Sequence, residues 1–130
     1  MGRRAVVLAM LIATMAALPQ PARATGGPIV AAPGSYMTTY TTAVIVWTPG
    51  SPLMFTNADI QGHDVVSNET RAPGTAPWCP ANGPRCPLFF AEEIVLGESA
   101  EVQGLDDVEP GVYPFRCSPH TWMEGTLVVV

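Results

Sequence analysis

The sequence predicts an all-β fold, a sandwich or barrel of short strands. Three observations lead there. Short β-branched and aromatic runs alternate with turn residues, the pattern of such folds. Fourteen prolines and twelve glycines are dispersed along the 130 residues, which leaves little room for long helices. The one stretch that could turn helically, Leu105-Asp106-Asp107-Val108-Glu109-Pro110, is about a single turn long and ends on proline.

The chain opens with a different kind of segment. Arg3 and Arg4 form a basic head, an apolar run extends from Ala5 to Leu18, and Ala22-Arg23-Ala24 follows as a small-x-small cleavage pattern. This is the layout of a secretory signal peptide, residues 1–24. The run is shorter than the roughly 20 residues that span a bilayer, although a retained N-terminal anchor is the alternative. Secretion to the periplasm or cell exterior follows, with or without attachment to the envelope.

After cleavage the strands come in order. Ala43 to Trp47 is a β-branched run, closed by the turn Thr48-Pro49-Gly50-Ser51-Pro52, where proline presets φ and glycine supplies a positive one. Leu53 to Asn57 resumes extended structure. His63 to Ser67 reads as a strand entered through Gly62, and a proline-rich loop runs from about Ala72 to Pro87. Leu88-Phe89-Phe90, Glu98 to Val102, Gly111 to Cys117 and Gly125 to Val130 complete the set.

Charge excludes one class of partner. Three of the six arginines leave with the signal and there is no lysine, so three cations face eleven acids, a net charge of −8. Nucleic acid binding needs clustered Lys and Arg, so none is expected. A partner with a basic docking surface fits better, although solubility alone would account for the charge.

Three cysteines in an oxidising compartment make one pair and a remainder. Cys79 and Cys86, in WCPANGPRCP, enclose a short loop with a tight Asn82-Gly83 reversal, and the expected disulfide joins them. Pairing of Cys117 with either one is the alternative.

Cys117 is then an odd thiol, and an unpaired thiol in an oxidising space tends to be oxidised. A metal that holds it as thiolate resolves the difficulty. In FRCSPHTWMEGTLVVV, Cys117, His120 and Met123 stand three residues apart at the end of a strand, and His63 is the only other histidine. Two imidazoles, one thiolate and a weak axial thioether make a type 1 copper site. Singly, each residue has an ordinary reading: a core methionine, a solvated histidine, a thiol nucleophile. Together, Cys-x2-His-x2-Met and one upstream histidine point to copper, with zinc as the chemical competitor.

The stretch YPFRCSPHTWMEGTLVVV resembles the C-terminal signature of the cupredoxins, and NADIQGHDVVS resembles their segment with the first histidine. The short ligand loop is most similar to that of the amicyanins, and more generally resembles those of the plastocyanins and pseudoazurins. The resemblance covers about Ala43 to Val130, so that a copper-binding domain (43–130) is expected after the signal peptide (1–24) and an N-terminal strand or linker (25–42). It implies a Greek-key β-sandwich with one type 1 copper, ligated by His63, Cys117, His120 and axial Met123, and one-electron transfer between redox partners. By position Asp64, Ser118, Pro119, Trp122 and Phe115 would surround the ligands. His120 would face solvent through an apolar patch framed by Pro119 and Trp122, with Met54 as a weaker candidate and core packing as the alternative for Trp122.

Asp64 stands where many of these proteins carry asparagine, and it could accept hydrogen bonds from Ser118 or from backbone amides. The Cys79–Cys86 loop is an insertion that could cap the site, shield it or form a docking surface. Copper enzymes need further histidines that this chain lacks, so a monomeric carrier without a small-molecule substrate is expected rather than an enzyme. A copper storage or delivery protein is the second reading, and a metal-free structural sandwich is the third.

Overall fold

The computed structural model describes residues 26–130, and the expected signal peptide lies outside the described residues. Among the described residues ten strands follow one another: β1 (Ile29–Ala31), β2 (Val44–Trp47), β3 (Met54–Asn57), β4 (His63–Ser67), β5 (Thr70–Arg71), β6 (Cys86–Pro87), β7 (Phe90–Ile94), β8 (Ser99–Glu101), β9 (Gly111–Arg116) and β10 (Glu124–Val129). Single 3-10 turns occur at Ser35–Met37 and Leu105–Asp107.

Two sheets form a Greek-key β-sandwich. One has the order β1-β3-β8 and the other β2-β10-β9-β4-β7, with β5 and β6 as a separate ribbon. β1 runs parallel to β3 and β2 parallel to β10, while the remaining pairs are antiparallel.

Period-two patterning decides which side chains go inside. Ile45 and Trp47 of β2, Phe55 of β3, Val65 of β4, and Leu127 and Val129 of β10 are buried, while their chain neighbours Val44, Val46, Thr126 and Val128 lie on the outer face. Burying each such side chain is worth about 1.5–3 kcal/mol. Phe115 lies opposite Gly125 across β9 and β10, and a Cβ on Gly125 would come within 2.3 Å of the Phe115 ring. Glycine there lets the ring lie flat on the neighbouring strand, where it also meets Tyr40 and Phe89.

The segment 25–42 carries more than a connection. Ile29, Ala31 and Tyr40 are completely buried, and β1 pairs with β3 in register from Ile29–Phe55 to Ala31–Asn57. Further on, a strand was expected at Leu88-Phe89-Phe90, but β7 begins at Phe90. The Leu88 amide instead donates to Ser67 Oγ and the Glu69 carbonyl, which drives Phe89 into the core.

Cys79 and Cys86 form a disulfide, and Cys117 is unpaired and buried. The disulfide loop does not cap the Cys117 region. Its Trp78 packs on Phe90 and against Gly104, and Arg71 at its start stacks over Trp78 and reaches Asp107. Gly104 and Asp107 precede β9, whereas Cys117 follows it, so the loop stiffens the opposite end of the sandwich.

Candidate metal centre

Two chain reversals build this end of the molecule. The first follows β3. Asn57 is fully buried, and its side-chain amide donates to the carbonyls of Gln61 (2.7 Å) and Ile94 (2.8 Å) while its oxygen accepts the Asp59 amide (2.8 Å). These bonds close the turn that delivers His63 to the start of β4. Between His63 and Val65 the pairing with β7 shifts register, a bulge of the kind that re-aims a side chain beside a functional site.

The second reversal joins β9 to β10. The Cys117 amide donates to the Met123 carbonyl (3.0 Å), and the Met123 amide donates to the His120 carbonyl (2.8 Å). This compact loop holds Cys117 and Met123 fully buried and leaves His120 half-buried.

Both reversals meet at sulfur. Cys117 Sγ lies 3.6 Å from Nδ1 of His63 and 3.6 Å from Nδ1 of His120. The three donor atoms fall within 4.8 Å of one another, and the imidazole centroids are 4.7 Å apart. Burial pushes the Cys117 thiol up to about 11, so a thiolate at neutral pH needs a cation beside it. Two imidazoles and one thiolate converging from two separate reversals fit a thiophilic metal ion.

The surroundings mix expected and unexpected residues. The Ser118 amide donates to Asp64 Oδ1 at 2.6 Å, which links the two reversals. Phe115 is fully buried beneath Cys117, whereas Ser118 and Pro119 are exposed. Trp122 is 59% exposed rather than packed in the core. Its ring stands edge-on to His120 at 5.9 Å, and its indole N–H donates to the Tyr36 carbonyl at 2.9 Å. Met54 opens β3, at the end away from Asn57 and the turn to His63.

Sequence reasoning did not single out Asp59, Asn57, Tyr36 or Tyr40. Asp59 is buried, with Oδ2 3.0 Å from His63 Nε2. Its burial alone would raise the carboxyl, but hydrogen bonds from the amides of Gly34 and Tyr36, from His63 and from the Ile60 amide outweigh that and hold it at about 2. Tyr40 donates to the Asp64 carbonyl from beneath β4, and burial raises its phenol far above the ordinary value. The sequence offers only a weak hint of Asp59, an acid four residues before the histidine. Tyr36 and Tyr40 carried no local signal, because they lie in the segment read as a strand or linker.

The model of the copper binding proteins of the plastocyanin/azurin family matches residues 29–130. The chain belongs to this family. Its match begins at β1, well upstream of the Ala43 at which the resemblance was read. Among solved structures, a purple cupredoxin from Nitrosopumilus maritimus superposes with a TM-score of 0.58 at 25% identity, covering 80% of this chain and 99% of that one. An oxidised amicyanin with a methionine-to-leucine substitution gives 0.51 at 17% identity, over 80% of this chain and 81% of its own. A reduced amicyanin with a tryptophan-to-tyrosine substitution gives 0.50 at 18% identity, over 79% and 80%. No curated protein sequence matches the chain. The cofactor of this cupredoxin is one copper, and the His63, Cys117 and His120 donor group is of the kind that accepts it.

Proposed function

We propose that this cupredoxin is a type 1 blue copper protein that carries single electrons between redox partners outside the cytoplasm. His63, Cys117 and His120 would hold the copper strongly, and Met123 would hold it weakly. The observation that carries the reading is the meeting of both histidine Nδ1 atoms on one buried thiol, each at 3.6 Å. Copper would supply a reversible one-electron couple there.

The chain's own residues supply the rest. Burial of Cys117, His63, Met123 and Phe115 excludes water from the donors, and their packing resists rearrangement. His120 is the only one of the four proposed ligands that is not fully buried, so electrons pass through its edge, beside Trp122. A delivery protein would expose its sulfur ligands for hand-over, whereas Cys117 and Met123 are wholly enclosed. The −8 charge of the chain after Ala24 favours a partner with a basic docking surface. The Cys79–Cys86 disulfide suits an oxidising compartment.

The experiment is cyclic voltammetry of the copper-loaded protein together with electron self-exchange, measured by NMR line broadening in mixtures of its two redox states. A reversible one-electron wave and rapid self-exchange are expected. Copper that leaves on reduction would instead indicate storage or delivery.

A further inference from the structure

Asp59 lies outside the proposed ligand set, yet its buried carboxylate reaches one member of that set directly. Its Oδ1 accepts from the amides of Gly34 (3.1 Å) and Ile60 (2.8 Å), and its Oδ2 accepts from the Tyr36 amide (3.0 Å). The remaining contact is His63 Nε2, at 3.0 Å from Oδ2. A carboxylate has only acceptors to offer, so this contact is a hydrogen bond when Nε2 carries the ring proton. The lone pair then sits on Nδ1, the nitrogen that faces Cys117 Sγ.

The same carboxylate reaches the other histidine indirectly. It holds both ends of the short Gly34–Tyr36 segment, and the Tyr36 carbonyl in turn accepts the Trp122 indole N–H. Trp122 and Tyr36 flank the His120 ring at centroid distances of 5.9 and 6.4 Å. One buried anion therefore references the first histidine directly and the second through a three-residue turn.

We propose that Asp59 is a positioning residue of the metal centre, which locks His63 in the Nε2–H tautomer and biases the bound ion toward its oxidised state. This rests on the ligand assignment proposed above. A negative charge hydrogen-bonded to a ligand imidazole makes the ring a stronger donor, and the more highly charged ion gains more from that. Asparagine would remove the charge and place an amide N–H₂ or a lone oxygen against donors that now share two oxygens. To accept from that amide, Nε2 must give up its proton, which then moves to Nδ1 and blocks the nitrogen that faces sulfur.

Nitrogen-15 NMR of the metal-free wild-type protein tests the tautomer without any substitution. The His63 ring proton is expected on Nε2, and a proton on Nδ1 at neutral pH would overturn the proposal. Voltammetry of copper-loaded Asp59→Asn tests the charge. The ratio of copper(II) to copper(I) affinity is expected to fall about tenfold, a rise in potential of roughly 59 mV. An unchanged potential in a variant that keeps its visible band would overturn the role of the charge. If Asp59→Asn does not fold, the tautomer measurement decides alone. Failure of the wild-type protein to form any thiolate-to-copper band would sink the ligand assignment instead, whatever the tautomer.

Discussion

The backbone amide of Ser118 donates to Oδ1 of Asp64 over 2.6 Å. The bond joins the residue after one sequence-expected ligand, His63, to the residue after another, Cys117. Separation of the two reversals would open the donor group, so this contact helps to fix the spacing of Nδ1 and sulfur.

Asp64→Asn keeps an oxygen for the Ser118 amide and removes a negative charge close to the donors. The reduction potential should rise, on the order of 50 mV, somewhat under the roughly 59 mV of a tenfold change in a one-electron equilibrium. Voltammetry reads it directly, and no change or a fall would refute the electrostatic role.

Trp122 is exposed beside His120 and gives up one hydrogen bond on truncation. Trp122→Ala should cost about 1 kcal/mol of stability. It should slow electron self-exchange roughly tenfold, the equivalent of about 1.4 kcal/mol of lost encounter affinity. An unaltered exchange rate would remove Trp122 from the docking surface.

The Phe115 ring occupies the space a side chain on Gly125 would need. Gly125→Ala should therefore overpack the core and cost about 1–3 kcal/mol. Thermal unfolding should show a loss of roughly 4–8 °C per kcal/mol for a domain of this size. An unchanged midpoint would mean that the strands separate easily at this point.

The Cys79–Cys86 loop packs on Phe90 and Gly104, at the far end of β9 from Cys117. Replacing both cysteines by serine should cost roughly 2–3 kcal/mol through loop-closure entropy. Absorption spectrum and potential should stay as in the parent. A shifted potential would show that the loop reaches the donor group.

The strands legible in the sequence were those bounded by their own local signals. Gly62 marked the entry to His63 to Ser67, and the Pro49-Gly50 turn separated the second strand from the third. The three-residue spacing of Cys117, His120 and Met123 marked the ligand loop, because chemistry requires those residue types together. What escaped depended on distant partners. β1 is only Ile29–Ala31 and exists by parallel pairing with β3, more than twenty residues away. Leu88 and Phe89 have strand-like side chains, but Ser67 and Glu69 take up the Leu88 amide. Asp59 carries an ordinary surface residue's name. Only the tertiary fold shows that three backbone amides and the His63 ring enclose it.

The most direct test of the account is the visible absorption spectrum of residues 25–130, with the disulfide formed, on addition of one equivalent of copper(II). The account predicts an intense thiolate-to-copper charge-transfer band that reductant bleaches reversibly and that Cys117→Ser abolishes. A colourless protein, or a band that survives Cys117→Ser, would contradict the claim that His63, Cys117 and His120 hold a type 1 copper.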